Sequence, residues 1–91
     1  MEKQTLNDPD PTYRTSDLNI IAFLLAMGCT YIRAEKTPDD RQIVNLHFLN
    51  PPHCEKLERE FHTKNPKVPV KDFIAGLNSA KDIIFGERRR T

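Results

Sequence analysis

The stretch Leu18–Leu49, LNIIAFLLAMGCTYIRAEKTPDDRQIVNLHFL, decides the fold because its apolar period changes partway along. Up to Gly28 the pattern is helical. Leu18, Ile21, Ala22 and Leu25 form one stripe, and Ile20, Phe23, Leu24 and Met27 widen it to most of the circumference. A helix apolar nearly all round is buried on more than one side. Thr15-Ser16-Asp17 offers capping side chains in front of it and Gly28 a left-handed stop behind it, so a helix is expected from about Ser16 to Met27.

Beyond Gly28 the period falls to two. Thr30–Lys36 alternates charged with smaller apolar residues, and in Arg41–Leu49 the side chains of Val44, Leu46 and Phe48 point one way. Thr37-Pro38-Asp39-Asp40 between them has turn chemistry, proline setting φ and aspartates bonding nearby amides. A two-stranded antiparallel β-hairpin is expected.

Working outward, Asn50-Pro51-Pro52 reads as a cap followed by prolines at a first helical turn. Cys54, Leu57, Glu58 and Phe61 then share one face of a short helix ending near Thr63. Lys64-Asn65-Pro66-Lys67 breaks it and Pro69 restarts the chain. Val70, Phe73, Ile74, Leu77, Ala80, Ile83 and Ile84 give a longer helical stripe expected to stop at Gly86. The reading is a small α+β domain of order α-β-β-α-α over residues 13–86. Residues 1–12, with one Leu and two Pro, are expected to form a disordered tail, and residues 87–91 a basic tail.

Ninety-one residues allow one core and no second domain. Two strands alone are marginal and leave two open edges. Either the helices cover those edges, or two chains join sheets into a four-stranded dimer. The apolar breadth of the first helix favours a homodimer. The longest apolar run, Ile20–Met27, falls far short of the ~20 residues that span a bilayer. The two cysteines belong to no CxxC pair and suggest reduced thiols. A cytoplasmic protein without a membrane partner is expected.

Chemistry is sparsely signalled. Metal binding would draw on Cys29, His47, His53, Cys54 and His62, but their spacing is no zinc signature, and the simpler account keeps Cys54 in the core and the histidines on the surface. Cys54 near a helix start beside His53 is the better nucleophile candidate, yet its place on an apolar stripe points to burial. Asp17, Asp39 and Asp40 are explained by cap and turn roles, and Gly28, Gly76 and Gly86 stand too far apart to cradle a phosphate. No cofactor and no catalytic residue is expected, so the chain is read as not an enzyme.

Charge separates by halves. Residues 1–40 carry four Lys/Arg against seven Asp/Glu, and residues 41–91 carry ten against six. Asp39 and Asp40, at the hairpin tip, are the candidate contacts to a basic protein surface. Lys64, Lys67, Lys71, Arg88, Arg89 and Arg90 are the candidates for phosphate contacts, although a net charge of +1 is not the footprint of a dedicated nucleic-acid binder.

The opening Tyr13-Arg14-Thr15-Ser16-Asp17-Leu18, followed by Ala22-Phe23-Leu24-Leu25-Ala26-Met27-Gly28 and two strand-like runs, resembles a domain-of-unknown-function family of short bacterial and phage proteins. Phe73-x-x-x-Leu77 looks like that family's closing segment, so the likeness covers roughly residues 13–85. It implies a small cytosolic protein, often carried on mobile or phage-like DNA, with no catalytic residues to carry over. The expected function is a non-catalytic binding module, a regulator or inhibitor docking on a larger protein. The alternative is a nucleic-acid-binding accessory protein using the basic C-terminal half.

Overall fold

The computed structural model describes residues 12–40 and 42–89. The expected tail of residues 1–12 lies outside these except for Thr12, as do Arg41, Arg90 and Thr91. Six elements follow one another: β1 (Tyr13–Thr15), α1 (Leu18–Ala26), β2 (Tyr31–Lys36), β3 (Val44–Phe48), α2 (Pro51–Thr63) and α3 (Val70–Arg89). The fold is α+β, and the hairpin of β2 and β3 is present.

The sheet has three strands rather than two. β1 pairs antiparallel with β3 on the side away from β2, giving the order β1-β3-β2 and leaving β3 central. Tyr13 explains why so short a strand holds. It is buried in the core, and its hydroxyl donates to Glu58 Oε1 on α2 (2.7 Å), a charge-assisted bond that pins the strand to a helix.

Local chemistry sets the helix ends. Asp17 Oδ1 accepts from the amides of Asn19 (2.9 Å) and Ile20 (3.1 Å), so Asp17 caps α1. Gly28, at φ +87°, supplies the left-handed exit expected of it. Asn50 acts differently from a side-chain cap. Its side chain makes no capping bond; instead its backbone sits at φ 63°, a region Asn tolerates, and its carbonyl accepts from His53 and Cys54. α3 does not stop at Gly86 but runs on to Arg89, so residues 87–89 are helix rather than tail. Gly86 remains on the helix because nothing there demands a left-handed turn.

Val44, Leu46 and Phe48 on the central strand pack with α1, α2 and α3 into one core. Ile20–Leu24 are all buried within the single chain, Leu18 and Leu25 are half-buried, and Met27 is exposed. α1 lies against α3 at a point where Gly76 meets the backbone of Ala22. A Cβ at residue 76 would stand 2.5 Å from the Ala22 carbonyl oxygen. Phe23 of α1 packs on Phe61 of α2 with ring centroids 5.3 Å apart. Along α3 the buried line is Gly76, Ala80 and Ile84, whereas Val70 and Ile74, expected on the core stripe, are exposed.

A candidate docking surface and the buried polar groups

The hairpin turn is held by its own backbone. Thr37 donates to the Ile43 carbonyl (2.8 Å), Asp40 to the Thr37 carbonyl (3.2 Å), and Ile43 to the Asp40 carbonyl (3.0 Å). Asp40 Oδ1 accepts from the Gln42 amide (3.0 Å), which is turn chemistry, while the Asp39 and Asp40 side chains are otherwise presented to solvent. Gln42 also receives α3. Arg88 Nε donates to the Gln42 carbonyl (2.8 Å), with its guanidinium 5.7 Å from the Phe85 ring centroid.

The acidic and basic candidates are therefore partly neighbours. Asp39, Asp40, Arg88 and Arg89 gather where the hairpin tip meets the end of α3, together with Ile43 and Phe85, which are 42% and 48% exposed. Arg90 lies outside the described residues. Lys64, Lys67 and Lys71 are exposed at the other end of α3, about 25 Å from Arg88 along the helix at 1.5 Å per residue. The six basic candidates form two groups and not one face.

Two basic residues that the sequence reading did not single out, Lys56 and Arg59, line a shallow depression on α2 together with Glu60, Thr63 and the candidate Lys64. Their spacing of three and four is the signal that would have found them.

Among the described residues no three His, Cys, Asp or Glu side chains come together as a metal-holding group. Cys54 is fully buried on α2, with Sγ 3.3 Å from the Leu49 carbonyl oxygen. Burial and the adjacent Cys29 push its thiol up to about 12, and burial raises Cys29 as well. Both are free thiols brought together against the core. Neither environment favours the thiolate that nucleophilic chemistry needs.

His47 corrects the expectation of surface histidines. It is only 5% exposed, on the face of β3 opposite Val44, Leu46 and Phe48. Its Nε2 bonds Glu35 Oε1 on β2 (2.6 Å), and the Thr12 hydroxyl beside β1 lies 2.8 Å from Nδ1. One side chain thereby links all three strands. Its partners are far away in sequence, which is why alternation alone could not place it. His53 and His62 are exposed, as expected.

The class so defined is a small two-layer α+β domain: a three-stranded antiparallel sheet, three helices packed with one face of it, and a mixed-charge surface at one end. Residues 10–86 match the family described as "Domain of unknown function (DUF5659)", and the chain belongs to that family. No curated protein and no solved structure matches it. Among the described residues no helix is long and apolar enough to cross a membrane.

Proposed function

We propose that this chain is a non-catalytic binding module, a homodimer that docks on a larger protein as a regulator or inhibitor in a cytoplasmic bacterial or phage setting. The observation that carries the reading is the joint between hairpin and helix. The Arg88–Gln42 bond ties the hairpin tip to the end of α3 and sets exposed Phe85 and Ile43 among acidic and basic side chains. An aromatic anchor with a mixed polar rim is the chemistry of a protein contact. A nucleic-acid binder needs one continuous positive field, and the separation of Lys64, Lys67 and Lys71 from Arg88 and Arg89 counts against that alternative. The buried, protonated Cys54 thiol supports a non-catalytic role.

Three baits tested against lysate of the native host separate the readings: wild type, Asp39→Lys/Asp40→Lys/Phe85→Ser, and Lys64→Glu/Lys67→Glu/Lys71→Glu. A specific protein partner retained by the lysine variant and lost by the hairpin variant is expected. Loss with the lysine variant alone, accompanied by nucleic acid that wild type releases steeply as salt rises, would establish the alternative.

A further inference from the structure

Among the described residues β2 has a neighbour on one side only, and its other edge is unpaired. The ladder fixes what faces that edge. Thr37 donates to the Ile43 carbonyl next to the turn, and antiparallel pairing alternates from there. Glu35 and Arg33 therefore turn their amides toward β3, and Ala34 and Lys36 turn theirs outward. Outward amides are a template for another strand, which sheets protect with proline, bulges or like charge. Here the bulge is confined to the start of the strand, between Tyr31 and Arg33, no proline interrupts β2, and the charges at residues 33 and 35 are opposite in sign.

From this pattern we infer that the edge takes a second copy of itself, antiparallel across a two-fold axis at Ala34. Outward-facing groups must meet outward-facing groups, so a symmetric pairing has its axis on a residue and not between two. An axis at Arg33 sets arginine against arginine, one at Glu35 sets glutamate against glutamate, and one at Lys36 sets lysine against lysine. An axis at Ile32 falls on the bulge. At Ala34 the small side chains meet on the axis, each Ala34 amide donates to the other copy's Ala34 carbonyl, and Arg33 stands opposite Glu35 of the other copy twice. Those two pairs are of the non-hydrogen-bonded kind, in which opposed side chains approach most closely.

The side chains suit the pairing. Glu35 bonds His47 through Oε1 and its side chain is still 53% exposed. Arginine has five donors, so a carboxylate from a second copy adds to whatever Arg33 holds within its own chain. Ile32, 40% exposed, falls opposite Lys36, whose methylenes can cover it. The product is a continuous six-stranded sheet in the order β1-β3-β2-β2-β3-β1, in place of the four-stranded sheet expected from two hairpins.

This inference rests on the homodimer in the proposed function, and sedimentation of the full chain at high concentration tests the two separately. Wild type is expected at twice the 10.6 kDa chain mass. Ala34→Pro removes an amide that the ladder turns away from β3, and proline is tolerated on an edge strand, so this variant is expected to keep its circular dichroism and melting temperature and to sediment as a monomer. Arg33→Glu and Glu35→Arg are each expected to weaken the dimer about tenfold or more, through like charges opposed twice, and a mixture of the two to restore it as a heterodimer. A monomeric wild type would overturn dimer and register together. A dimer that survives Ala34→Pro, or single variants as tight as wild type, would overturn this interface while leaving the homodimer standing.

Discussion

Cys54 and Tyr13 share a physical situation: each is a weak acid whose charged form the core disfavours. Burial is the first cause in both. Cys29 adds to it for Cys54, and the bond to the Glu58 carboxylate adds to it for Tyr13, whose phenol is held above its ordinary value of 10.0. In the unfolded chain these groups give up their protons more readily. A group raised on folding stabilises fully below its unfolded value, and that stability is lost as pH rises toward the folded value. For Cys54 the window runs from 9.0 to about 12, and Tyr13 extends it upward. Unfolding free energy from urea titrations is therefore expected to carry no pH dependence from these two groups at neutrality, where their contribution is fully present, and to fall above about pH 9, with Tyr13→Phe flattening the fall. A thiol reagent at pH 8 should label Cys54 no faster than the chain unfolds; rapid labelling in the native state would contradict its burial. The spacing of Cys54, Leu57 and Phe61 revealed this buried thiol in advance. The burial of His47 was not legible, because Thr12 and Glu35 reach it only once three strands are side by side.

Among the elements, the helices and the hairpin follow from period, caps and turn residues, whereas β1 does not. Three residues show no periodicity, and Tyr13–Thr15 becomes a strand only because β3 offers an edge and the core takes the tyrosine ring. The two glycines of α3 hold different places in the sequence: Gly76 falls inside the helical stripe, where a glycine hints at a close helix approach, and only Gly76 has a backbone against it. Gly76→Ala drives a methyl into the Ala22 carbonyl, which cannot swing aside as a side chain would. A loss of about 2–3 kcal/mol is expected, exceeding the ~1 kcal/mol that alanine returns in helix propensity. Gly86→Ala meets nothing within 4 Å and should stabilise by about 0.5–1 kcal/mol. Thermal unfolding of the two variants checks the contrast, and a neutral Gly76→Ala would mean the helices do not meet so closely.

At the scale of the whole molecule, the division of charge by sequence halves does not become a division of surface. The hairpin from the acidic half lies against the end of α3 from the basic half, so Asp39, Asp40, Arg88 and Arg89 share one end. Lys64, Lys67 and Lys71 share the other with Lys56 and Arg59 of α2. Composition could name these residues but not sort them, since their sorting depends on the direction of α3 across the sheet. The placement also gives the two proposals different surfaces: the hairpin tip with the end of α3 for the proposed larger partner, and the β2 edge for the proposed second copy. The most direct test of the docking surface is photocrosslinking inside the native host, with a crosslinking side chain at residue 39 in one version and at residue 67 in another. A discrete adduct with one protein from residue 39 and none from residue 67 is the predicted result. Adducts from residue 67 alone, or to nucleic acid in place of protein, would contradict it.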